Sequence, residues 1–129
     1  MNTLAAALLS FALLAQTAAA PPGRIVSLTL PHALGEGEAA WLEIKVGVIE
    51  RGAEIELTTT EGKPMGVISP FAVRSGAPAG TYTVPVPQGA VSGGRVRLRL
   101  TLNRYGRAKR APTAKEVKAV RLHITRATP

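Results

Sequence analysis

The sequence predicts an all-β domain, a seven-to-eight-stranded antiparallel β-sandwich, and three observations carry that expectation. In Arg95 to Leu102, RVRLRLTL, the apolar Val96, Leu98, Leu100 and Leu102 alternate without a break against Arg95, Arg97, Arg99 and Thr101. A period of two belongs to a half-buried strand with one face on an apolar core and the other in water. The same alternation recurs in short stretches along the chain, and the 13 glycines and 10 prolines punctuate the gaps between them. Short strands separated by turn signals, with no long helical period, indicate a sandwich more than a closed barrel. Alternation does not choose a strand order, so jelly-roll and immunoglobulin-like arrangements both stay open.

Taken in order, Leu4 to Ala15 is almost wholly apolar and runs into Thr17-Ala18-Ala19-Ala20. That pattern is a secretory signal peptide, 1–19, cleaved after Ala19. Cleavage after Ala20 is the other option, and it would place Pro21 directly behind the scissile bond. The apolar run falls short of the roughly 20 residues of a membrane span. Residues 20–129 then form a single domain. With no cysteine, its core must suffice without disulfides, which suits a monomeric secreted or periplasmic bacterial protein.

Arg24 to Leu30 reads as a first strand with Val26, Leu28 and Leu30 inward, and Pro31 ends it. Trp41 to Ile49 places Leu42, Ile44, Val46 and Val48 inward, and Glu50-Arg51-Gly52 turns the chain into Ala53 to Thr59, with Ile55 and Leu57 inward. These two segments are expected to pair as a hairpin. After the turn Thr60 to Lys63, Met65 to Ile68 is a short apolar run that could be buried on both faces. Thr81 to Val86 alternates again, but Pro85 lacks an amide hydrogen and points to an edge strand. Gln88 to Gly94 reads as a loop before the strand at Arg95. Thr113 and Glu116 have the spacing of a capping box, and Val117 to Thr125 closes the domain with Val120, Leu122 and Ile124 inward. The expected core includes Ile44, Val46, Val96, Leu98, Leu100 and Leu122.

Charge is segregated along the chain. Sixteen basic residues stand against eight acidic ones, every acid is Glu, and the net charge is +8. From Arg24 to Glu61 seven Glu face three cations, whereas from Arg95 to Arg126 eleven cations face Glu116 alone. The absence of Asp and Cys removes calcium-loop ligands, thiol nucleophiles and the Asp of most triads. Glu54 and Glu56 share a strand face about 7 Å apart, within range of a hydrolase pair, but outward glutamates beside arginines more often form surface ion pairs. His32, Met65 and His123 are a scattered copper set without ligand spacing. Neither a metal, a cofactor nor an enzyme activity is expected.

The basic third is the stronger signal. If the last two strands pair, Arg97 and Arg99 share an outward face with Arg121 and His123, unless Glu43, Glu54 and Glu56 neutralise them. The loop Asn103 to Pro112 adds Arg104, Arg107, Lys109 and Arg110, whose nearest glutamate in sequence is Glu116, so these four are expected to be free. Trp41 and Tyr105 are the candidates for stacking on a sugar. The expected function is a non-catalytic exported binding module for a glycan or other anionic polymer. An anionic polysaccharide or an acidic protein surface is the expected partner, with no specific nucleic acid. A structural subunit docking through an exposed Thr81 to Val86 edge is the alternative, and a small hydrolase using His123 with a glutamate in a cleft comes third.

Gly52-Ala53-Glu54-Ile55-Glu56-Leu57 together with Glu116 to Leu122, EVKAVRL, resembles the strand pattern of galactose-binding-like β-sandwiches. That resemblance implies a carbohydrate-binding or adhesion module. Ala79 to Pro85, AGTYTVP, is similar to a segment of the carboxy-terminal β-domain of polyphenol oxidases. That family's copper-binding domain has no counterpart here, so the likeness implies no oxidase activity.

Overall fold

The computed structural model describes residues 21–71 and 73–127, and the expected signal peptide lies outside them. Among the described residues eight strands form: β1 (Arg24–Thr29), β2 (Glu38–Val46), β3 (Glu54–Thr59), β4 (Pro64–Ile68), β5 (Gly80–Pro85), β6 (Val91–Ser92), β7 (Arg95–Asn103) and β8 (Val117–Arg126). All pairings are antiparallel, and the strands make two sheets. The first runs β1-β7-β3-β4 with β6 against the start of β7, and the second runs β5-β2-β8. The predicted sandwich is therefore the fold. Its strand order departs from the immunoglobulin arrangement, in which the first two strands pair, because β1 pairs with β7.

The inward faces meet in one core. Leu42, Ile44 and Val46 from β2 pack with Ile55 and Leu57 from β3 and with Val96, Leu98, Leu100 and Leu102 from β7, all fully or almost fully buried. Leu122, expected in the core, is half-buried and packs against it from β8, an outer strand of the second sheet. At one side of the sandwich β4 meets β5, and at the other β1 meets β8. Gly66 allows the first approach, since a Cβ there would sit 3.0 Å from Val84 Cγ1.

Two expected pairings fail for one reason. β2 and β3 lie in different sheets, so they are not a hairpin, and β7 and β8 likewise do not pair. The turn between β2 and β3 does form. The Ala53 amide donates to the Glu50 carbonyl (3.0 Å), and Gly52 takes the positive φ (80°) of a type II turn. It carries the chain across the sandwich rather than back along its own sheet. Among the described residues only β3–β4 and β6–β7 are in-sheet hairpins, the latter closed by Gly93-Gly94 with both φ positive (60° and 72°), as a type I′ turn needs.

Two bulges break the parity of the sequence. Between Lys45 and Val46 the register against β8 jumps from Ala119 to Val117, so Lys118 is extra and Val117 is buried although it stands three residues from the inward Val120. A second irregularity between Leu57 and Thr58 does the same for Met65 in β4. β4 is nevertheless one-sided, because Val67 is exposed. Val48, expected inward, lies beyond the end of β2 and is exposed as well.

The capping-box spacing is realised. The Thr113 amide donates to Glu116 Oε1 (2.9 Å), and the Glu116 amide donates to Thr113 Oγ1 (3.2 Å). It closes a single turn leading into β8 rather than a helix.

Candidate binding surfaces

The residues expected to form one basic surface are distributed over three. Because β7 and β8 belong to opposite sheets, Arg97 and Arg99 project from the outer face of the first sheet, while Arg121, His123 and Trp41 project from the outer face of the second. The loop cations lie at the end of the sandwich where the β2–β3, β4–β5 and β7–β8 connections gather.

At that loop end the expectation of free charge is overturned. Arg104 Nη1 lies 3.1 Å from Glu50 Oε2 and Arg107 Nη1 3.6 Å from Glu50 Oε1. Lys109 Nζ lies 3.0 Å from Glu56 Oε2, and Arg110 donates twice to Glu116, at 2.6 and 2.9 Å. All four loop cations are paired. The reason is tertiary: Leu102 and Arg110 exchange backbone hydrogen bonds (2.7 and 3.1 Å), which folds the loop onto the glutamate-bearing β2–β3 turn and β3. Segregation along the chain thus becomes neutralisation in space. Tyr105 remains wholly exposed at the tip, beside an open hollow of about 420 Å³ that it shares with Gly52, Glu54, Asn103, Arg104, Gly106 and Arg107.

The Arg110–Glu116 pair is the best built of these contacts. Its hydrogen bonds to Arg110 come first and those to Thr113 second in holding the Glu116 carboxyl below its ordinary 4.5. A carboxyl with a depressed folded-state pKa adds stability above its unfolded value, and that share is lost as pH falls through the folded one. Glu116→Gln should therefore lower the urea midpoint at neutral pH and flatten the acid limb of the stability profile below pH 4.5. Urea titrations across that range check both.

On the second sheet Trp41 is half-buried in the central strand, directly opposite Pro85 on β5 and His123 on β8, and its indole N–H donates to Thr125 Oγ1 (2.8 Å). It ties β2 to β8 across their outer face. His123 Nε2 lies 2.6 Å from Glu43 Oε2, but on an exposed sheet face, and neither residue lines any of the hollows described here. Glu54 accepts from Ser69 Oγ (2.9 Å) and Glu56 from Lys109 and Asn103, so the two carboxylates have separate partners. Of the copper set, Met65 is in the core, and each histidine faces its own glutamate, His32 at 3.0 Å from Glu38. No family model, curated protein or solved structure matches the chain.

The outer face of the first sheet carries a row of unneutralised cations, and on the second sheet Arg121 and Lys45 likewise have no ion pair among the described residues. Arg95, Arg97 and Arg99 stand in a row on β7, and none of them has an ion pair among the described residues. Glu43, Glu54 and Glu56, which the sequence offered as their partners, are engaged elsewhere. Arg99 is held in place: its Cγ and Cδ pass so close over Gly23 that a Cβ there would lie 2.4 Å from Cγ. Its Nε is buried without an acceptor among the described residues. Arg95 belonged in the candidate set from the start, because it shares the parity of Arg97 and Arg99.

The edge of the second sheet offers less. The Val86 amide donates to the Ala40 carbonyl (3.0 Å), so by antiparallel alternation Thr81, Thr83 and Pro85 turn their backbone groups to the open side. Pro85 has no N–H to give, which shortens the ladder that an added strand could use.

Proposed function

We propose that this protein is a non-catalytic binding module for an anionic polymer, acting after export from a bacterial cell. The observation that carries the reading is the row of three arginines, Arg95, Arg97 and Arg99, left without acidic partners among the described residues on the outer face of a sheet. Such a row focuses positive potential and attracts a polyanion by releasing its counterions.

Heparin titrations of the purified protein at two ionic strengths test it. Changing Arg95, Arg97 and Arg99 together to Gln should weaken binding at low salt more than tenfold. Changing Arg104, Arg107 and Lys109 to Gln should leave most of the affinity, because those charges are already spent on Glu50 and Glu56. Equal affinity of the first variant and the parent would remove the face from consideration, and no binding of heparin or of any other polyanion by the parent would end the reading.

A further inference from the structure

Resting on that reading, we infer that the polymer is an extended phosphodiester chain with a polyol backbone, seated with one phosphate on each arginine of β7. Side chains two apart on a strand repeat every ~6.7 Å, so Arg95, Arg97 and Arg99 form a ladder of that period. A peptide residue has three backbone bonds and spans 3.3–3.6 Å when extended; a phosphodiester repeat of six bonds therefore extends to about 7 Å. One phosphate meets one arginine, rung after rung. Inorganic polyphosphate, with two bonds between phosphorus atoms, repeats at about a third of that distance and falls out of step.

The neighbours of each arginine complete a phosphate site. Ser27 stands directly opposite Arg97, Thr29 and Ser92 stand opposite Arg95, and Thr58 stands opposite Arg99. Side chains so paired are about 5 Å apart. A guanidinium offers two parallel N–H groups to a phosphate, and a hydroxyl supplies a third donor to the same oxygens. Arg99, braced on Gly23, is already ordered, which reduces the entropy lost on binding.

The face also distinguishes between polymers with this backbone. The outward residues of its first three strands are Ile25, Ser27 and Thr29 on β1, the arginines with Thr101 and Asn103 on β7, and Glu54, Glu56 and Thr58 on β3. None has an aromatic ring. Single-stranded nucleic acids are held largely by stacking their bases on such rings, so the face fits a phosphodiester without bases, of the glycerol-phosphate kind.

The test titrates the purified protein with poly(glycerol phosphate), oligothymidylate, heparin and inorganic polyphosphate of matched charge, from about 50 to 200 mM salt. Poly(glycerol phosphate) should bind at least tenfold tighter than the other three. Its affinity should fall with a log–log salt slope of about −2, and Arg97→Gln should reduce that slope by about 0.7. Ser27→Ala with Thr29→Ala should weaken binding severalfold at an unchanged slope, with an unchanged circular dichroism spectrum. Equal affinity for all four polymers, or tighter binding of heparin or polyphosphate, overturns the ligand class and leaves the binding module standing. Tighter binding of oligothymidylate overturns it in favour of a nucleic acid. An unchanged slope in Arg97→Gln removes the ladder, and no binding of any polymer overturns the module as well.

Discussion

Leu98→Ala is expected to cost about 4 kcal/mol of folding free energy. Leu98 is fully buried on β7, between Val26 of β1 and Thr59 of β3 in the same sheet. Strands on both sides hold the backbone, so the cavity left by the missing carbons cannot close by a local shift, and the lost transfer energy is joined by lost packing. Urea unfolding measures the change. A loss below about 0.5 kcal/mol, the scale of surface substitutions, would place Leu98 outside the core. Such a loss would also undo the outward placement of the arginines on either side of it.

Gly47→Ala should be nearly as damaging, at about 3 kcal/mol, although it adds only a methyl group. Gly47 follows β2 and is wedged between two connections: its amide donates to the Glu116 carbonyl (2.8 Å), and its own carbonyl accepts from the Ala79 amide (2.9 Å). A Cβ there would lie 2.1 Å from the Lys115 carbonyl oxygen. Backbone cannot rotate aside as the end of a side chain can, so the β7–β8 loop must move off, and the Glu116 contacts go with it. Gly89→Ala is the matched control, because a Cβ there meets nothing within 4 Å. It should stay within about 0.5 kcal/mol of the parent. Comparable losses in the two variants would show that Gly47 is not a contact point. Cleavage by a protease within residues 104–116, faster in Gly47→Ala, would locate the damage.

Alternation made the inward face legible wherever the strand was regular. Val96, Leu98, Leu100 and Leu102 needed nothing beyond their spacing, and the same held for Leu42, Ile44 and Val46. It failed at Val117, where a bulge adds a residue that only the partner strand reveals. The turns were legible too, since Gly52, Gly62 and the Gly93-Gly94 pair adopt positive φ where glycine is least strained. What each turn joins was not. A turn of the Glu50-Arg51-Gly52 kind serves equally to return a strand to its own sheet or to send it across to the other.

The candidate site shows the same division. Which side chains leave the sheet was readable, because parity sets it: Arg95, Arg97, Arg99, Arg121, His123 and Trp41 all stand outward. Which charges stay free was not. Glu50 lies more than fifty residues from Arg104 in sequence, and Glu56 is equally remote from Lys109. An ion pair depends on distance in space, and the chain crosses the sandwich between its acidic and basic stretches.

By itself, then, the sequence determined an all-β chain, the turns that punctuate it, the core of its regular strands and the excess of positive charge. These are local or compositional quantities, set by a two-residue period, by glycine's backbone freedom and by counting. Only the tertiary structure decided that β7 and β8 lie in opposite sheets, that the loop cations are spent on Glu50, Glu56 and Glu116, and that the row Arg95, Arg97 and Arg99 keeps its charge without an acidic partner among the described residues. Strand partnership and electrostatic pairing depend on which distant segments meet, and a period of two assigns a residue to a face without naming the strand beside it.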